Sequence, residues 1–245
     1  MRTLFIRRRT LVLAAILTLS LTSGIIIIYS CLNGLRDQTA SSFHNILTPS
    51  AIIDAGHGGA DGGAVGFRGI AEAPINLSIS QKTRDILGFL GIRSIMTRES
   101  DDSLDYSDDN TIRQNKTADL KARLQIAENN PGCDFLSIHL NKFSQEKYYG
   151  AQVFFSPNDQ GSQTLAAAIQ EKLRDVLDNG NDRRARLSPQ SVFLMEKIRS
   201  PAVTIECGFL SNEREAELLA LPQYQTKIAI SICCGYIDYL EMSDT

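Results

Sequence analysis

The sequence predicts a single α/β domain built on a mainly parallel sheet of about six strands, with helices on both faces. Three observations lead there. Short apolar, β-prone runs alternate with segments whose apolar residues recur at helical spacing, the pattern left by strands joined through crossover helices. With 245 residues and 43% hydrophobic content, the chain can bury one sizeable core. The composition shows no internal repeat, collagen-like tract or disulfide scaffold that would call for another architecture.

The elements follow in order. Ala51 to Asp54 reads as the first strand, closed by a glycine-rich turn. Ile75, Ile79, Ile86 and Leu90 then recur at helical spacing until Gly91 stops the pattern. Ile92 to Met96 is a second strand, and the polar, acidic stretch from Ser100 to Asn115 reads as a mobile loop bordering a cleft. Leu120, Leu124 and Ala127 mark the inner face of a helix that ends near Asn129-Asn130-Pro131-Gly132. Phe135 to Ile138 and Gln152 to Phe155 are strands, followed by a helix with Leu165, Ile169, Leu173 and Val176 inward. Ser191 to Leu194 and Ala202 to Ile205 read as the last two strands. Ala229, Ile232, Cys233, Tyr236, Ile237 and Leu240 share one stripe of a closing helix, so the domain is expected over residues 50–241, with a tail at 242–245.

The N-terminus stands apart. Residues 1–10 carry Arg2, Arg7, Arg8 and Arg9, and an apolar run follows over 11–29, about the length of the roughly 20 residues that span a bilayer. Basic residues stay cytoplasmic, so this pattern predicts a transmembrane anchor with the body outside the inner membrane and residues 30–49 as a polar tether. A cleaved signal peptide is the rival reading. Against it, the run ends in Ile25-Ile26-Ile27-Ile28 with no small-x-small cleavage site.

Formal net charge is −3, and the first ten residues hold four arginines and no acid, leaving −7 on the remainder. A body this acidic argues against nucleic acid, which needs a basic stripe. The one dense basic cluster, Arg183-Arg184-Ala185-Arg186, reads as a solvated loop or a local contact. Five cysteines, at positions 31, 133, 207, 233 and 234, show no framework spacing and read as buried thiols. Alternation along a strand turns Cys207 away from its neighbour Glu206.

Two of only three histidines end short apolar runs: Ile52-Ile53-Asp54-Ala55-Gly56-His57 and Phe135-Leu136-Ser137-Ile138-His139. Strand ends converge at one edge of an α/β sheet, so the two imidazoles can meet, and two meeting imidazoles suggest a metal. Glu72, just ahead of the first helical pattern, is the best third ligand. His57, Glu72 and His139 would bind one Zn²⁺ and leave a fourth position for water. Glu206 interrupts the apolar run Val203-Thr204-Ile205, where a carboxylate is costly without a partner, and reads as the general base. Asp61 in the glycine-rich loop is read as a local cap rather than a ligand, and His44 in the tether as solvent-exposed.

These residues resemble the zinc-dependent N-acetylmuramoyl-L-alanine amidases of the amidase type 3 family. The signposts are Asp54-Ala55-Gly56-His57-Gly58-Gly59, Glu72 with Asn76, Thr97-Arg98-Glu99, Ser137-Ile138-His139-Leu140-Asn141 and Glu206-Cys207-Gly208-Phe209-Leu210-Ser211-Asn212. The match covers nearly everything from Ala51 to Leu240. It implies one zinc per chain on His57, Glu72 and His139, Glu206 as catalytic carboxylate, a twisted mainly parallel sheet flanked by helices, and peptidoglycan glycan strands with stem peptides as substrate. Two positions depart from the family: Ala55 stands where Pro is frequent, and Leu140 where a small Ala is usual, which would narrow the cleft.

The N-terminal apolar segment, the lack of a wall-binding repeat and the stretch Asn181 to Pro201 look most like the sporulation and germination amidases of endospore formers. That resemblance implies a role in spore cortex, with the product feeding muramic-δ-lactam formation, a location between the forespore membranes, and an accessory lipoprotein. Two other classes remain open at this point: an anchored peptidoglycan-binding or regulatory protein with a vestigial site, and a zinc peptidase acting on stem peptides.

Overall fold

A computed structural model of the chain describes residues 50–177 and 180–243. The expected anchor and tether, with Cys31 and His44, lie outside the described residues. The order is β1 (Ala51–Ala55), α1 (Glu72–Phe89), β2 (Ser94–Met96), α2 (Ile112–Glu128), β3 (Asp134–Asn141), β4 (Gln152–Phe155), α3 (Gly161–Leu177), β5 (Arg186–Leu187), α4 (Phe193–Lys197), β6 (Ala202–Phe209), α5 (Glu213–Leu219) and α6 (Pro222–Ser243).

The six strands form one sheet in the order β2-β1-β3-β6-β4-β5. The first four in that order run parallel; β4 is antiparallel to β6, and β5 runs parallel to β4. Strand residues alternate between faces. Ile53, Leu136, Ile138, Val203 and Ile205 therefore pack in one core cluster with Ile79 of α1, Leu165 and Ile169 of α3, and Ile232 and Tyr236 of α6. Ile52, Phe135 and Ala202 point the other way, onto Ala127 of α2 and Leu194 and Met195 of α4.

Several expectations shift. Ser191 to Leu194 is not a strand: Val192 N–H bonds the Pro189 carbonyl at 3.1 Å, and Glu196 N–H bonds the Val192 carbonyl at 3.1 Å, closing a helical turn that buries Leu194 and Met195. A four-residue run with three apolar residues is too short to show whether its period is 2 or 3.6. The sixth strand is instead Arg186–Leu187, paired with Phe154 and Phe155 inside the basic cluster. In α1, Leu90 is the C-cap and half exposed, while Leu87 takes the buried position. In α3, Leu177 rather than Val176 completes the buried stripe. The last residues of the expected mobile loop are helical, because Thr111 and Gln114 form a capping box that starts α2. The rest is fastened: Ser103 Oγ donates to the Gly58 carbonyl at 2.9 Å, and Leu104 N–H to Asp119 Oδ1 at 2.9 Å.

Candidate metal centre

The four chemical residues meet at the carboxyl ends of three adjacent parallel strands. His57 follows β1, His139 lies in β3, Glu206 lies in β6 directly opposite His139 in register, and Glu72 opens α1. Register partners project to the same face, which places Glu206 beside the imidazole of His139.

Nε2 of His57 lies 3.3 Å from Glu72 Oε2, and Nδ1 of His139 lies 3.1 Å from Glu72 Oε1. One donor atom from each of the three residues falls within 4.8 Å of the others. The Glu72 carboxylate is fixed by N–H donors from Ala64 at 2.8 Å and Leu140 at 3.0 Å, and by the Asn76 amide at 3.2 Å. Burial alone would raise its pKa, but the contacts from His139 and His57 outweigh that and hold it well below the usual carboxylate range. His57 is raised in turn: burial opposes its charge, and Glu72 and then Asp61 overcome the penalty. Each imidazole is about a quarter exposed, so the cluster opens to solvent on one side.

Two glycines make room for this packing. A Cβ on Gly56 would lie 2.3 Å from the His139 ring, and one on Gly63 would lie 2.6 Å from Glu72 Oε2. His57 itself has φ of +61°, a left-handed conformation that costs energy in a non-glycine residue. The backbone is held there from behind. Arg123, fully buried on α2, donates to the carbonyls of Ala55 and His57, each at 2.8 Å, and to Asp54 Oδ1 at 2.5 Å. Arg98 donates to Ala55 at 2.9 Å and Gly56 at 3.1 Å, and Asn76 Nδ2 adds a bond to Gly56 at 3.2 Å. Burial would lift the Asp54 carboxyl, but Arg123, then Ser137, His139 and Thr97, keep it below its ordinary value.

Of this frame, the sequence singled out Asp54, Asn76, Thr97 and Arg98 only as motif residues with no role, and Arg123 was missed. Arg123 shares the inward stripe of Leu120, Leu124 and Ala127 at i, i+3, i+4, i+7 spacing, and Asp54 interrupts an apolar run just as Glu206 does; both signals were present. Asp61 does more than cap its loop: Oδ2 lies 3.1 Å from His57 Nδ1, and Oδ1 pairs with Lys116 at 3.1 Å. That leaves Nε2 as the nitrogen facing Glu72, the usual device for fixing a ligand tautomer.

The residues fit a divalent cation. Two imidazole nitrogens and a carboxylate oxygen suit zinc, but they also satisfy one another, so the more telling atom is Glu206 Oε2, which is buried with no hydrogen-bond partner among the described residues. Burial pushes the Glu206 carboxyl up to about 7, with His139 lowering it, Glu72 raising it further and His57 lowering it. An acceptor left without a donor beside such a trio is what a water held at an ion would occupy. A cavity of about 340 Å³ adjoins both imidazoles, walled by Tyr106, Leu120 and Leu194. Cys207 points away, its thiol contacting the Ile205 carbonyl at 3.6 Å.

Fold and side chains together define a class: α/β proteins whose sheet edge presents a His, Glu, His cluster beside a free carboxylate, an arrangement suited to metal-assisted hydrolysis. The sequence profile of the N-acetylmuramoyl-L-alanine amidase family matches residues 51–237. The chain belongs to that family. It is 37% identical over 187 residues to the germination-specific N-acetylmuramoyl-L-alanine amidase of Bacillus subtilis, covering 76% of this chain and 78% of the relative. It is 26% identical to the amidase AmiA of Escherichia coli, covering 79% of this chain and 76% of the relative. Among solved structures, the CwlD amidase of Clostridioides difficile in complex with the GerS lipoprotein superposes with a TM-score of 0.76 at 42% identity, covering 80% of this chain and 100% of that one.

Proposed function

We propose that this chain is a zinc-dependent peptidoglycan amidase that cleaves the bond between N-acetylmuramic acid and the L-alanine of the stem peptide, with His57, Glu72 and His139 holding one Zn²⁺ and Glu206 as the catalytic carboxylate. The observation that carries it is the unpartnered Glu206 oxygen next to the three candidate ligands. When bound, zinc supplies Lewis-acid polarisation of a carbonyl and acidifies water. Glu206 accepts a proton from the attacking water and returns it to the departing alanine nitrogen. The water oxygen bonds the lactyl carbonyl carbon as the C–N bond breaks. Asp61 keeps the His57 Nδ1 proton, and the Arg98 and Arg123 frame keeps the loop in place throughout.

The likeness to a germination-specific amidase supports a role in spore cortex maturation. The apolar run over residues 11–29 supports an N-terminal membrane anchor, with the catalytic domain over 50–241 beyond the inner membrane. The lipoprotein complex of the related CwlD supports an accessory lipoprotein partner. Purified chain incubated with peptidoglycan and zinc should release new free L-alanine amino termini. Free ends of another residue would make it a peptidase, and none at all would leave a binding protein.

A further inference from the structure

A cavity of about 550 Å³ opens beside the β4–β5 edge, lined among others by Lys147, Tyr148, Tyr149, Arg183, Arg184 and Arg186, with Asp182 as its only carboxylate. Among the described residues, none of these four cations forms an ion pair with an acidic side chain. Four cations with no ion-paired acid outnumber the one carboxylate of the lining, repel one another and favour an anion.

The groove is tied to the reaction site. Gln152 pairs with Glu206 across β4 and β6, so their side chains share a face. Gln152 Nε2 donates to the Arg184 carbonyl at 2.5 Å, and Arg183 Nη1 donates to Gln152 Oε1 at 3.4 Å. Arg183 is held further by its bond to the Tyr149 carbonyl at 2.9 Å and by stacking 4.8 Å from the centre of the buried Phe209 ring. Phe209 lies three residues beyond Glu206 on β6, roughly 10 Å along the strand.

We propose that this groove is an anion subsite that binds a free carboxylate on the peptide portion of the substrate, on the departing side of the scissile amide. The inference rests on the amidase reading. An extended peptide advances about 3.5 Å per residue, so a carboxylate on its second or third residue lies about 7 to 11 Å from the cleaved bond, comparable with the roughly 10 Å along β6 from Glu206 to Phe209, on which Arg183 stacks. Guanidinium groups suit carboxylates through paired N–H donors, and the two tyrosines supply apolar walls for the backbone between.

The test compares two muropeptides that differ only in whether the carboxyl of the second peptide residue is free or amidated, cleaved by the wild-type chain and by the triple variant Lys147→Gln, Arg184→Gln, Arg186→Gln. Arg183 is left in place because it braces the loop. The wild-type chain should show a KM about tenfold or more lower for the free carboxylate, and the variant should reduce that preference to within about twofold. A preference equal in both proteins overturns the proposal. If wild-type chain cleaves neither substrate, the amidase reading fails by itself. The groove is then judged by calorimetric titration with the free-carboxyl muropeptide, where equal binding by the two proteins, or none, overturns it.

Discussion

The loop that carries His57 and the strand that carries Glu206 flank His139 from opposite sides, and they are built in opposite ways. Behind His57, the three consecutive carbonyls of residues 55, 56 and 57 are all held by side-chain donors from Arg98, Arg123 and Asn76. Beside Glu206, pairing of β6 with β3 and β4 fixes the backbone, while one carboxylate oxygen has no hydrogen-bond partner among the described residues. Ligands need fixed positions, because a cation tolerates little error in spacing. A base needs an unengaged lone pair, because a donor supplied by the protein would compete with the proton it must take.

If that division of labour is right, the largest effect follows from touching the free side. Glu206→Gln should lower turnover by about 10² to 10⁴ while stoichiometric zinc, measured by metal analysis, is retained. Near wild-type turnover would erase the contrast. The next effect comes from the braced side. Arg123→Met leaves Asp54 buried without its cation, and removing one partner of a buried pair costs about 3 to 5 kcal/mol, which urea denaturation would read directly. An unchanged midpoint would mean the loop does not depend on this brace.

Asp61→Asn sharpens the comparison. It keeps the loop's shape but weakens the orientation of the His57 ring, and zinc affinity by chelator competition should fall about 10- to 100-fold with little change in folding stability. The smallest effect lies at the opposite end of the sheet. Burial raises Asp134 to about 6, against hydrogen bonds from Tyr236 and Tyr239. A carboxyl raised in the folded state favours folding fully at pH values below its unfolded pKa, and loses that contribution as pH rises through 6. Wild type should therefore lose about 1 to 2 kcal/mol at this site between pH 4 and 7, allowing for partial exposure. Asp134→Asn should flatten that slope without altering zinc binding.

Much of the site was legible because its residues violate their surroundings. Two histidines and a glutamate at the ends of apolar runs have few physical reasons to be there, and the structure gathers them. Asp54 and Arg123 carried the same kind of signal, but a lone arginine on a helix reads as solvated until its i, i+3, i+4, i+7 neighbours are counted. The fold was legible wherever runs were long. It failed where Ser191 to Leu194, with three apolar residues, had no measurable period, and where β5 consists of two exposed residues paired with β4. The local chain cannot announce a strand that exists only because its neighbour does.

Gly56 carries a consequence beyond its own turn. The His139 ring rests where a side chain on residue 56 would begin, so the gap between the two candidate imidazole ligands is gauged by a hydrogen atom rather than by either histidine. A single methyl there would act as a shim, driving the His139 ring off its seat and breaking the spacing of the three candidate ligands.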